Sequence, residues 1–280
     1  MLTDYHVHLR PDGPEFAAAE YLTAAKAAEY RRAAAAAGIG ELGVSEHVYR
    51  FAQVLTVWDH PFWRAQAVDD IDAYCEFVRG ETDLKLGIEA DFVPGAEDRT
   101  EELLAARDFD YVVGSVHFIR DGAVDMDDYS VWSSGRPVEE IWARYFQTIG
   151  DAARSGLFDI LAHPDLVKYW GQEGRRPAGD LRRYYEPAIA GIAESGIAVE
   201  LSTAGLRKPV AELYPAREFL ALAVAAGAPV ALSSDAHESG HLGYRYDAAL
   251  AELESLGVGE IAVFDRRGRS LAPLGTDAGP

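Results

Sequence analysis

Six of the eight histidines fall at or just beyond the end of a β-branched run: His6, His8, His47, His117, His163 and His237. Asp12, Glu89 and Asp235 fall in comparable places. In a barrel of parallel strands the C-terminal rim is where loops assemble the active site, so donors gathered there point to a metal centre. His6-Val7-His8 spaces two imidazoles two residues apart, which on a strand puts both on one face and within reach of one ion. Alone, such a pair reads better as one core histidine and one exposed one. Asp235-Ala236-His237 repeats the geometry near the other end of the chain, and the two pairs together favour metal. Ser45-Glu46-His47, Glu89, His117 and His163-Pro164 add further nitrogen and oxygen donors, with no thiolate among them. Imidazole with carboxylate suits zinc, manganese or iron. A catalytic zinc takes about three protein ligands and keeps an open position, so nine candidates fit two to three divalent ions better than one. His60, within an aromatic loop, and His241, within a Gly-flanked loop, read as ordinary loop histidines.

Elements able to hold those residues recur along the whole chain. Strands are expected at Leu2–Val7, Ile39–Ser45, Leu84–Glu89, Tyr111–Val116, Phe158–Ala162, Ala198–Leu201 and Val230–Ser233, with a last apolar run at Ile261–Phe264. Amphipathic stretches fill the gaps at Glu20–Ala37, Ala65–Arg79, Thr100–Arg107, Val138–Ser155, Gly179–Ser195, Leu213–Ala226 and Tyr246–Leu256. Gly38, Gly156, Gly196, Gly227 and Gly257 stand where each helix should stop before the next strand. Seven or eight βα units without an intervening linker predict one closed α/β barrel over residues 1–265, with a loosely held surface tail at 266–280.

The 280 residues include 46 Asp and Glu against 26 Lys and Arg, a net charge of -20, which argues against a nucleic-acid partner or an anionic membrane surface. At 49% hydrophobic and 11% aromatic the chain has the material for one large core. Its longest nearly apolar run, Phe219 to Leu232, is too short to span a bilayer and is broken by Gly227 and Pro229. The N-terminal MLTDYHVHLR has no basic region leading into an apolar stretch. The single cysteine, Cys75, cannot form an internal disulfide, so a cytoplasmic protein is expected.

The ordered set Asp4-Tyr5-His6-Val7-His8, Ser45-Glu46-His47, Gly87-Ile88-Glu89, Gly114-Ser115-Val116-His117, Ala162-His163-Pro164 and Ser234-Asp235-Ala236-His237 resembles the polymerase-and-histidinol-phosphatase (PHP) superfamily. That resemblance implies a distorted, TIM-barrel-like (β/α)7 barrel whose C-terminal rim holds a trinuclear metal centre. Within the superfamily, Asp110–His117, Glu200–Lys208 and Glu212-Leu213-Tyr214-Pro215 look like the histidinol-phosphatase branch. Many members carry a third histidine soon after the HxH pair. Here the loop reads Leu9-Arg10-Pro11-Asp12-Gly13-Pro14-Glu15, with Asp12 as the expected substitute and Glu15 in reserve.

The activity so implied is metal-dependent hydrolysis of a small phosphate monoester, L-histidinol phosphate, by a metal-activated hydroxide, since clustered ions supply both a nucleophile near neutral pH and charge neutralisation. Asp235 and His237 are the expected catalytic pair at the ions. Given the resemblance, Arg207 is the expected phosphate clamp, with Lys208 assisting and Arg50 a weaker second clamp. Asp4 is expected to orient a ligand. The aromatic loop Val48–Arg64 either closes over the substrate or seals the rim, and the acidic segment Asp125–Tyr129 would welcome an ammonium and an imidazole. Competing readings keep the metal site but take phosphotyrosine or a nucleotide, or make the barrel a non-catalytic interaction domain. An amidohydrolase also begins DxHxH, but would carry a metal-bridging lysine where Glu89 and His117 stand. Oligomeric state is not legible.

Overall fold

Tyr111-Val112-Val113-Gly114-Ser115 is buried at every position, as a parallel strand covered on both faces must be. The computed structural model, which describes all residues except Pro14, Gln172, Glu173 and 276–280, sets this run among seven parallel strands. In chain order the strands are β1 (Thr3–Asp4), β2 (Glu41–Val44), β3 (Lys85–Asp91), β4 (Tyr111–Ser115), β5 (Phe118–Ile119), β6 (Gly122–Ala123), β7 (Ile160–Leu161), β8 (Ala198–Ser202), β9 (Val230–Ser233), β10 (Glu260–Asp265) and β11 (Gly268–Pro273). The main sheet runs β1-β2-β3-β4-β7-β8-β9. It curls into a nearly closed barrel. Its seam is a bridge between Val7 and Ala236, where His8 N donates to Ala236 O (2.8 Å) and Ala236 N to His6 O (3.1 Å). The small antiparallel ribbon β5–β6 follows β4.

Helices α1 (Ala18–Tyr21), α2 (Ala24–Ala36), α3 (Pro61–Gln66), α4 (Ile71–Glu81), α5 (Glu97–Ala105), α6 (Val138–Arg154), α7 (Arg182–Ser195), α8 (Arg217–Ala225) and α9 (Tyr246–Ser255) connect the strands. Two expected helices are each split by a cap. Thr23 Oγ1 accepts from Lys26 N and starts α2, and Asp70 accepts from Asp72 N and Ala73 N and starts α4. Inside the barrel the Tyr111 ring fills the space between strands. Gly43 and Gly87 make room for it, since a Cβ there would lie 2.2 Å from its Oη and 2.3 Å from its Cζ respectively.

The run at Ile261–Phe264 is not a barrel strand. It forms β10, antiparallel to β11, and sends Ala262 and Phe264 into the interior beside Tyr5 and Tyr111. Arg267 N donates to Asp110 O just before β4, so the hairpin plugs the N-terminal end, opposite the histidines. The segment from Arg266, expected to be loose, is therefore held as far as Pro273. Arg266 (φ 46°) and Arg267 (φ 63°) supply the left-handed pair that a tight hairpin turn needs, without the Asn-Gly or Asp-Gly that advertises one. Of that expected tail, 276–280 lie outside the described residues.

Candidate active site

Because the strands are parallel, residues just past their C-terminal ends meet on one rim. His6 and His8 follow β1, His47 follows β2, Glu89 lies within β3, His117 follows β4, His163 follows β7, and Asp235 and His237 follow β9. Their donor atoms form four overlapping triplets, each within 4.8 Å: His8, His47 and His237; His6, His8 and Asp235; His6, Glu89 and His163; His47, Glu89 and His117. Eight of the nine expected ligands thus come together. Glu89 is the hub, fully buried, with Oε2 facing His6 Nε2 (3.2 Å) and His47, and Oε1 facing His163 Nε2 (3.2 Å) and His117 Nε2 (3.5 Å).

Burial opposes ionisation of Glu89, but the imidazoles of His47, His6 and His117 outweigh it and hold its carboxyl well below the usual range. Asp235 behaves alike: burial is overcome by His6, His8 and His237. Among the imidazoles, burial is overcome at His6 by Glu89, Glu200 and Asp235, so its pKa stands well above normal, and at His117 by Asp91 and Glu89, which take it to about 10. Burial prevails at His8, which lies well below normal, and at His47, which falls to about 3. His6 Nε2, both ring nitrogens of His8, His47 Nδ1, Glu89 Oε2, His163 Nδ1 and Asp235 Oδ1 are buried without a hydrogen-bond partner. Buried polar atoms are normally paired. A buried cluster of imidazoles and carboxylates with its lone pairs turned inward fits divalent cations, and residues of this chemistry could hold them.

The orienting partners are ones the sequence did not single out. Glu200, buried on β8, meets His6 Nδ1 at 2.8 Å, and Asp91 at the end of β3 meets His117 Nδ1 at 2.8 Å. Such contacts fix ring orientation and raise ligand basicity. Asp4, expected in that role, instead accepts from Ser234 N (3.0 Å) and Ser234 Oγ, clasping β9 to β1 across the barrel seam.

Asp12 stands apart from the four triplets. Its side chain is 74% exposed, with Oδ1 at 3.2 Å from His237 Nε2 and 3.2 Å from an Arg50 nitrogen. An exposed loop carboxylate reaches one imidazole at the edge of the cluster, and Glu15 is exposed as well. Arg50 is buried and engaged: its guanidinium donates to Glu46, Arg10 O and Asp12, which ties the first two rim loops together. Arg207, the expected clamp, does not line the cavity at all. Its Nη2 donates to Ser234 O (2.8 Å) and Asp235 O (2.9 Å), and its Nη1 is buried.

Over the cluster opens a cavity of about 280 Å³ in which His47, His117, His163, Asp235 and His237 share the wall with Lys208, Asp125, Tyr49, Phe62 and Tyr169. Lys208 and Arg50 are the cations on its wall, and Arg50 is already engaged by Glu46 and Asp12. Asp125 is turned inward, with Oδ1 buried and unpartnered, while Asp127 and Asp128 are exposed. The peptide before Asp125 is pinned, since the indole nitrogens of Trp132 and Trp170 both donate to Val124 O at 2.8 Å. The aromatic loop mostly seals the rim: Trp63 is fully buried and Phe51 lies in the core, while Phe62 faces the cavity. His60 caps α3 through Nδ1, accepting from Phe62 N at 3.2 Å, and stacks on Trp58. Among the described residues neither His60 nor His241 belongs to a ligand triplet.

A barrel of seven parallel strands carrying this cluster on its C-terminal rim has relatives. The PHP domain family matches residues 19–204, and the chain belongs to that family. It is 35% identical over 245 residues to a probable histidinol-phosphatase of Deinococcus radiodurans, a match covering 85% of this chain and 90% of that protein. It is 26% identical over 198 residues to the histidinol-phosphatase of Bacillus subtilis, covering 65% of this chain and 74% of that protein. The fold is similar to that of histidinol phosphate phosphatase from Lactococcus lactis, whose structure holds zinc, L-histidinol and phosphate. The TM-score is 0.73 at 18% identity, covering 96% of this chain and 98% of that one.

Proposed function

We propose that this protein is a metal-dependent phosphomonoesterase that hydrolyses L-histidinol phosphate to L-histidinol and phosphate, a step of histidine biosynthesis carried out in the cytoplasm. The observation that carries the reading is the buried rim cluster, several of whose inward donor atoms have no hydrogen-bond partner and which opens onto a cavity that also bears the Lys208 ammonium and the Asp125 carboxylate. The 35% identity to a probable histidinol-phosphatase along most of both chains supports the substrate. His6, His8, His47, Glu89, His117, His163, Asp235 and His237 would hold two to three divalent ions, zinc, manganese or iron, with Asp12 beside His237 at the edge. Bound there, such ions would supply a water of lowered pKa and neutralise charge on a transferring phosphoryl group.

The chain's own residues do the rest. Lys208 offers a point charge to a non-bridging phosphate oxygen. Asp235 and His237 line both the cluster and the cavity, and so touch the phosphate end of a bound ester. Asp125 sits among the lining residues as an unpaired carboxylate, suited to the ammonium or imidazole of the alcohol. Phe62 and Tyr169 give the imidazole ring flat walls to pack on. Glu200 and Asp91 hold the rings of His6 and His117 in place.

Phosphate release from a panel of monoesters tests the substrate. Histidinol phosphate is expected to have the highest kcat/KM. A wide preference for phosphotyrosine or for a nucleotide would move the substrate elsewhere while leaving the metal site standing.

A further inference from the structure

Asp235 has a backbone φ of 49°, a left-handed conformation that a residue with a side chain seldom adopts outside a turn held by its surroundings. β9 ends at Ser233, two residues earlier, and the departure from the strand is what swings the Asp235 carboxylate inward, with Oδ1 at 3.7 Å from His6 Nε2 and 3.5 Å from His8 Nε2. In an extended strand successive side chains alternate between faces, and so do successive carbonyls. Here the carbonyls of Ser234 and Asp235 converge on one nitrogen, Nη2 of Arg207, at 2.8 and 2.9 Å. Two successive carbonyls can meet one donor only if the chain turns between them, so the guanidinium selects the turned backbone against the extended one.

The same turn is gripped from the other side. Ser234 N donates to Asp4 Oδ1, and Ala236 N to His6 O. Arg207 itself comes from the short turn Ala204–Arg207 after β8 and lies over the Tyr244 ring at 5.4 Å. It has no face on the cavity, and both hydrogen bonds of its guanidinium go to the carbonyls of the turn, with Nη1 buried and unpartnered. Its neighbour Lys208 takes the opposite orientation, onto the cavity wall.

We propose that Arg207 is a positioning residue: it holds the Ser234–Asp235 turn so that the Asp235 carboxylate is presented to His6 and His8, and it makes no contact with the phosphate. This rests on reading the rim cluster as a metal centre. The consequence is a division of labour between adjacent basic residues, one serving the ligand set and the other the substrate.

The experiment compares Arg207→Ala and Arg207→Lys with wild type in metal content, in resistance to a chelator, and in kcat and KM for histidinol phosphate. Loss of an orienting group typically costs 10–100-fold in metal affinity, so Arg207→Ala is expected to give up metal to the chelator about tenfold more readily, with kcat falling and KM nearly unchanged. Added guanidinium ion, able to occupy the vacated space and donate to both carbonyls, should restore part of the metal retention and of kcat. If the alanine variant does not fold, Arg207→Lys, which keeps the charge, carries the same comparison. Full metal retention with a raised KM in either variant would overturn the proposal and return Arg207 to the phosphate. A wild type that holds no metal, measured without any substrate, would overturn the site reading beneath it. Metal sensitivity as expected, combined with turnover of a different ester, would leave the role of Arg207 intact and remove only the substrate assignment.

Discussion

Glu89 gathers four imidazoles around one carboxylate, and His8 stacks between His47 and His237 at ring distances of 4.2 Å on each side. Removing such a residue should abolish the chemistry without unfolding the barrel, whereas His60 serves a helix cap and an aromatic stack. Accordingly His8→Ala and Asp235→Ala are expected to show no measurable turnover in folded protein. His60→Ala should stay within a few-fold of wild type and lose about 1 kcal/mol of stability with the cap. Equal losses in all three, measured by phosphate release alongside circular dichroism, would contradict this sorting. The two ends of the cavity separate in the same assay. Lys208→Ala should lower kcat/KM for every phosphate ester. Asp125→Asn should raise KM for histidinol phosphate while leaving p-nitrophenyl phosphate hydrolysis nearly unchanged, because only the former carries a cation for the carboxylate. The histidines were legible in the sequence because a two-residue spacing at strand ends has one geometric consequence. Glu200, Asp91 and the true contacts of Arg207 were not, because their partners come together only when the barrel closes: Glu200 meets His6 across 194 positions of chain.

Strands were located closely by their apolar runs, since a parallel strand buried on both faces has no polar alternation to confuse it. β9 matched at both ends, Val230 to Ser233. What was missed at this scale has a common cause: local signals that the wrong residues were carrying. The hairpin β10–β11 turns on Arg266-Arg267, and the β11 side chains are largely exposed, so neither turn chemistry nor hydrophobicity marked it. The plug it forms is testable. Phe264 is buried in the interior with Tyr5 and Tyr111, and Phe264→Ala should cost about 3–5 kcal/mol in denaturant unfolding, with metal content unchanged because the plug lies at the opposite end from the rim. Gly87→Ala should destabilise by about 1–3 kcal/mol, since the new methyl meets the Tyr111 ring. Pairing it with Tyr111→Leu should give less than the sum of the two losses, because they share one contact. Strict additivity would show that the glycine is not there to admit the ring.

The whole molecule carries a net charge of -20, yet at its C-terminal rim it assembles six imidazoles around two carboxylates in a buried cluster. Bound cations would give partners to the buried donor atoms that have no hydrogen bond, so metal binding and folding are linked. Stripping the protein with a chelator should therefore lower its Tm, and restoring divalent metal should raise it again. An unchanged Tm would mean that the cluster is satisfied without ions. Among the described residues no helix is long and apolar enough to cross a membrane, which agrees with the broken run at Phe219–Leu232. The rim cluster is expected to hold metal that phosphoester hydrolysis requires. Elemental analysis of the purified protein, paired with its rate of phosphate release from histidinol phosphate before and after chelation, tests this most directly. Two to three equivalents of zinc, manganese or iron are expected from about three ligands per ion, with turnover lost on chelation and recovered on adding metal back. Protein that turns over the ester equally well after its metal has been removed, or that neither contains metal nor is activated by it, would contradict the account.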